Sequence, residues 1–141
     1  MTLKEAIDKI VDRNRQLNAF LNDEGRDYQN ADDLVTRYLD KLEESRFNVV
    51  LAADFARVLQ LLNKQELYDQ FKLSDIWMLF QSLIETEPFN LDYYVEAAHF
   101  EWSVMDNKER ANQIVNDGID VGNRKLKELA EWKRRIENNE G

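Results

Sequence analysis

The sequence predicts an all-α protein of seven to eight helices joined by short turns, either a helical bundle or a short solenoid of stacked antiparallel hairpins. Three observations lead to this fold class. Apolar residues recur at intervals of three and four along nearly the whole chain, the spacing that places them on one face of a helix. Four glycines and one proline are too few for a set of tight strand-joining turns. A chain of 141 residues with 43% apolar content is long enough to bury one core, so residues 1–141 are expected to form a single domain.

The elements follow in order. Leu3, Ile7, Ile10, Leu17 and Leu21 form the stripe of a first helix, with Val11 and Phe20 beside it, Thr2 as its cap and a stop near Asn22 to Gly25. A second helix begins after Asn30, with Asp32 and Asp33 placed where the helix dipole favours negative charge. Leu34, Tyr38 and Leu42 mark its buried face, which Val35 and Leu39 widen. From Phe47 to Leu62 the residues are apolar almost all round, which predicts a central helix covered on most sides. Gln65 to Phe71 is expected to add two helical turns. Ser74 and Asp75 then cap a helix to about Glu87, with Ile76, Phe80, Leu83 and Ile84 on one face and Trp77 at its border.

Pro88 has no amide hydrogen and cannot continue that helix, so it marks a boundary. Asn90 caps a helix from Leu91 to Met105, Asp106-Asn107 makes the turn, and Glu109 to Val121 returns antiparallel. Gly122-Asn123 is expected to stop it. A last helix then runs from Arg124 to about Glu137, with Leu126, Leu129, Ala130, Lys133 and Ile136 as a narrow inner stripe and a frayed tail after it.

Several function classes are excluded or disfavoured by composition. There is no cysteine, so no disulfide, thiolate metal site or thiol nucleophile exists. The single histidine, His99, has no second histidine for a metal site, and no glycine-rich loop is present to cradle phosphate. No enzyme activity, metal or cofactor is expected. A net charge of −9 repels nucleic acid and anionic lipid at long range. No apolar run approaches the roughly 18 residues of a membrane span, and the charged N-terminus lacks a signal-peptide core. A cytoplasmic chain with no membrane partner is the expectation.

The segment from Pro88 to Ile119 resembles a tetratricopeptide repeat or its half-a-TPR relative. Pro88 with Asn90 resembles the proline that ends one repeat and the asparagine that follows. Tyr94 stands where the first helix carries a large aromatic, and Ala98 where it needs a small residue. Ala111, Val115 and Gly118 repeat the small, large, small spacing of the return helix, with Ile119 after them, while Phe100-Glu101 and Glu109-Arg110-Ala111 are closer to the half-a-TPR variant. Met105-Asp106-Asn107 occupies the turn where the family has a glycine. The resemblance implies stacked hairpins with an open concave face that binds a protein or peptide.

Taking the register from Pro88, the resemblance points Asp92, Val95, His99, Trp102 and Ser103 into a groove beside the central helix. His99 and Trp102 lie one helical turn apart, and tryptophan is a frequent interface anchor. A second candidate is the basic island of Arg124, Lys125, Lys127, Lys133, Arg134 and Arg135, which outweighs Glu128 and Glu131, with Trp132 beside it. It suits an acidic partner or, through the half-a-TPR resemblance, RNA. The expected function is an adaptor or assembly factor that binds a partner segment. The alternatives are a structural subunit of a homo-oligomer or larger assembly, and an RNA-associated helical-repeat protein.

Overall fold

In a computed structural model the described residues are 1–22, 30–61 and 69–140. Among them the chain is all-helical, with no strand. The helices are α1 (Leu3–Leu21), α2 (residues 31–61), α3 (Leu73–Thr86), α4 (Leu91–Ser103) and α5 (Lys108–Glu137). Helix α2 is continuous through an α-helical turn at Ala31–Leu34, a π-helical turn at Val35–Leu39 and the α-helix Asp40–Leu61. The chain divides into two compact units, Met1–Glu87 and Pro88–Gly141.

Five helices therefore replace the expected seven to eight among the described residues, for two reasons. The second helix and the central helix are one element, since nothing between Leu42 and Phe47 breaks the backbone. Gly122-Asn123 likewise does not stop α5. A glycine stop relies on a left-handed residue at the helix end, and neither Gly118 nor Gly122 has positive φ. A glycine inside a helix costs about 1 kcal/mol, which a 30-residue element absorbs. Of the expected turns at Gln65 to Phe71, residues 65–68 lie outside the described part, and Asp69 to Phe71 are not helical.

In the first unit α1, α2 and α3 each pack on the other two. Thr2 accepts from the Glu5 amide while the Glu5 carboxylate accepts from the Thr2 amide, both at 3.1 Å, which fixes the start of α1. At the start of α3 the Asp75 carboxylate accepts from the Lys72 amide at 2.8 Å, so the cap sits two residues earlier than Ser74. Ile7, Ile10, Val11 and Leu17 of α1 meet Val49, Ala52, Ala56 and Leu59 of α2 and Ile76, Leu79, Phe80 and Leu83 of α3 in the core. Arg13 with Glu44, Lys4 with Asp75 at 2.8 Å and Arg15 with Glu85 at 3.8 Å join the helices at the rim.

Asn14 is completely buried at the centre of these helices. Its Nδ2 donates to Ser82 Oγ of α3 at 3.1 Å, and its Oδ1 accepts from Asn48 Nδ2 of α2 at 2.6 Å. Asn48 also donates to the Ile10 carbonyl at 3.0 Å, and Ser82 to the Leu79 carbonyl at 2.9 Å. One polar group from each helix is thus satisfied by the others, which ties the three to a single register.

Two expected faces of α2 are corrected. Phe47, Val50, Val58 and Leu61 are exposed, because α1 and α3 cover only the side that carries Val49, Ala52, Ala56 and Leu59. Leu34, Val35 and Leu39 are exposed as well, so the start of α2 has no buried stripe there. The side chains of Leu21 and Tyr38, and residue Leu62, lie outside the described part.

Replacing Asn14 by Ala removes one of the two acceptors of the buried Asn48 amide and the donor to the Ser82 hydroxyl, leaving each with a single hydrogen bond, to the Ile10 and Leu79 carbonyls. The expected cost is about 2–3 kcal/mol, read as a lower urea midpoint. Replacing the exposed Asp12 by Ala is expected to change stability by less than about 0.5 kcal/mol.

Candidate functional site

The second unit is a helical hairpin. The Asn90 side chain caps α4 by accepting from the Asp92 amide at 3.2 Å, and the Tyr94 hydroxyl donates to the Pro88 carbonyl at 2.8 Å. After α4 the Met105 amide donates to the Phe100 carbonyl at 3.1 Å and the Asn107 amide to the Glu101 carbonyl at 2.8 Å. Asp106 has φ of 53° in this turn, a conformation that aspartate tolerates better than most residues, so no glycine is needed. Asn107 then caps α5 by accepting from the Arg110 amide at 3.0 Å.

Pairing along the two helices runs in opposite directions. The fully buried Glu101 meets Arg110 at 3.3 Å, Tyr94 faces Gly118, and Leu91 faces Gly122. A Cβ at Gly118 would stand 2.9 Å from the Tyr94 Cβ, so only glycine allows this approach. Ala98 and Ala111 are buried, as small residues between close helices should be. Val115, expected to fill a gap between helices, is instead exposed. One side of the hairpin carries the buried Tyr93, Ala97, Phe100, Ile114 and Val121, and the other carries the exposed Val95, Trp102, Val115 and Ile119.

On that exposed side α4 and α5 enclose a groove of about 340 Å³ lined by Ala98, His99, Trp102, Lys108, Ala111, Asn112 and Val115. Its floor is the alanine pair, and its walls are the Trp102 indole, 64% exposed, and Val115. His99, Lys108 and Asn112 set polar groups around the apolar floor. Of the expected groove residues, His99 and Trp102 are brought together here. Asp92, Val95 and Ser103 are exposed on α4 but do not line the groove. Both walls of this groove belong to the hairpin itself, α4 on one side and α5 on the other.

The basic residues lie apart from this groove, since Arg124 is about 13 Å along the axis from Val115 at 1.5 Å per residue. Three of the six basic residues form ion pairs with carboxylates nearby on the chain. Lys125 meets Glu128 at 3.0 Å and stands 4.0 Å over the Phe89 ring. Arg134 binds Glu131 at 2.8 Å and Glu140 at 3.1 Å, and Lys133 lies 3.9 Å from Glu137. The Arg134 guanidinium holds the Glu131 carboxyl below the usual glutamate range. Arg135 stacks 4.8 Å from the exposed Trp132, and Arg124 and Lys127 are exposed. Leu126, Leu129 and Ile136, expected as an inner stripe, are exposed because α4 ends opposite Gly122 and covers none of them.

A further groove in the first unit was not anticipated. It runs between α1 and α2 past Met1, Ala6, Leu51 and Phe55 as two adjoining hollows of about 540 Å³ each. The alternation of small and large residues on α2 carried the signal, but the reading of residues 47–62 as covered on most sides hid it. Among the described residues, no group of three or more histidine, aspartate or glutamate side chains is placed to hold a metal ion. Among the described residues no helix is long and apolar enough to cross a membrane. Comparison with known families, curated proteins and solved structures finds no match.

Gly118→Ala is expected to loosen the hairpin and cost about 1–2 kcal/mol by thermal unfolding, because the Tyr94 Cβ cannot step aside. Gly122→Ala meets only the mobile end of Leu91 at 3.3 Å, so it should be neutral or stabilising by up to about 1 kcal/mol. Burial raises the Tyr94 pKa above the ordinary tyrosine value, aided by Asp117 and opposed by Arg124. The neutral phenol is therefore favoured in the folded state. Its contribution is complete below about pH 10, where unfolded tyrosine begins to ionise, and is lost as pH rises through the folded pKa. Tyr94→Phe should flatten that alkaline loss in a pH series of urea midpoints.

Proposed function

We propose that residues 88–141 are a protein-interaction module of tetratricopeptide-like type, which takes a segment of a partner protein into the groove between α4 and α5. The observation that carries this reading is the exposed Trp102 indole, standing with His99 over the floor of Ala98 and Ala111. An exposed tryptophan beside an apolar hollow is unfavourable in water, and tryptophan recurs at the centre of protein interfaces. The groove accepts one or two apolar side chains, while His99, Lys108 and Asn112 orient the backbone or polar groups beside them.

Binding rather than catalysis is the reading because no carboxylate, hydroxyl or thiol lines this groove among the described residues. An RNA-binding role for α5 has less support. Lys125, Lys133 and Arg134 already have acidic partners on their own helix or just beyond it, and phosphate would have to displace them.

Partners retained by the full chain and identified by mass spectrometry provide the test. Each is retitrated against Trp102→Ala and His99→Ala. Trp102→Ala is expected to weaken binding roughly 30-fold, the effect of losing a central anchor, and His99→Ala to weaken it less. Unchanged affinity of every partner for both variants would show that the groove is the wrong surface.

A further inference from the structure

Helix α5 has 30 residues and α4 has 13, roughly 45 Å against 20 Å of axis. Past Gly122, where Leu91 marks the end of α4, the face of α5 that met α4 continues beyond its partner in the hairpin and is exposed among the described residues. Leu126, Leu129 and Ile136 are 65%, 66% and 72% exposed, and Trp132 beside them is more than half exposed. Together with Ile119, Gly122 and Lys133 they fall at positions 119, 122, 126, 129, 133 and 136. These are alternating steps of three and four, the seam of a coiled coil.

The charges of this helix lie mainly off the seam and are paired along it, Lys125 with Glu128 and Arg134 with Glu131. Ion pairs of this kind lace the solvent side of coiled-coil helices. They leave a seam that selects by the spacing of its apolar residues more than by charge.

We propose that the chain forms a homodimer in which the C-terminal halves of two α5 helices pair antiparallel, Leu126 of one copy against Leu129 of the other. This register places Ile119 against Ile136 and Lys133 against Gly122. The missing side chain at Gly122 leaves room for the lysine stem, whose ammonium reaches water. Parallel pairing instead sets Lys133 against its own copy and Gly122 against Gly122, a like-charge pair at one layer and a void at another. Covering these side chains on both copies removes on the order of 1,000 Å² from water, at the lower edge of a specific interface. The dimer is thus reversible, at roughly micromolar concentrations. It uses none of the residues that line the Trp102 groove and does not depend on that reading.

Sedimentation equilibrium of the full chain tests this. A monomer–dimer equilibrium is expected that tightens with added salt, because copies of net charge −9 repel each other until screened. Leu129→Glu should weaken dimerisation about tenfold or more and leave the helical circular dichroism unchanged, since this side chain is exposed in one copy. Trp102→Ala should leave dimerisation unchanged. The chain has no cysteine of its own, so orientation is read with Leu126→Cys and Leu129→Cys. Mixed, the two variants should form a disulfide between positions 126 and 129 in preference to a disulfide of either with itself.

A monomer at every concentration overturns the proposal, as does a dimer unaffected by Leu129→Glu. Preferential self-crosslinking of each cysteine variant overturns the antiparallel register. A chain that stays monomeric yet binds an added acidic amphipathic peptide through Leu129 has a different occupant on this seam, and also overturns it.

Discussion

The approach of α5 to Tyr94 at Gly118 sets the geometry of residues 88–141. With any side chain at that position the two backbones would separate, and with them the alanine pair that floors the groove. The tyrosine itself is held from the other end, where its hydroxyl donates to the Pro88 carbonyl. A single close contact thus aligns the residue that ends one helix, the aromatic of the next and the glycine of the return helix. The same contact positions Leu91 against Gly122, so it also determines where α4 stops covering α5.

The first unit is organised by a different kind of constraint. Its apolar residues alone would tolerate small shifts of one helix along another, because apolar contact is not directional. The buried amides of Asn14 and Asn48 and the Ser82 hydroxyl would not, since any slip strands a polar group in the core. Lys4 contributes at the rim: its hydrogen bond to Asp75, with a second to Asp8, raises its pKa above the ordinary lysine value. Packing supplies the stabilisation of this unit and the polar cluster supplies its register.

The hairpin carries two surfaces of different character. Near its turn, Trp102 and His99 stand over a small apolar floor with polar groups around it, an arrangement suited to holding a side chain of another protein. At the far end α5 presents larger aliphatic residues at regular intervals on a helix whose charges are mostly paired with one another. A groove selects by pocket shape and placed donors, while a seam selects by periodicity. The two can therefore be altered independently.

The starts of α1, α2 and α4 and the Pro88 boundary are properties of short segments, so residue order alone determined them: Thr2, Asn30 and Asn90 cap as their local hydrogen bonding requires, and Pro88 ends α3 by lacking an amide hydrogen. The pairing of His99 with Trp102 on one helix face was legible for the same reason. Whether an apolar residue is buried depends on what lies opposite it, and that is a property of the assembled chain. Val50, Val58, Leu126 and Ile136 have the composition of core residues and are exposed, because the helices that would cover them end or pack elsewhere. Gly122 carries a stop signal in sequence and is helical in the structure, since the residues on both sides continue the hydrogen-bond ladder. The Asn14 cluster was equally hidden, because its three members are far apart along the chain and meet only when the helices pack.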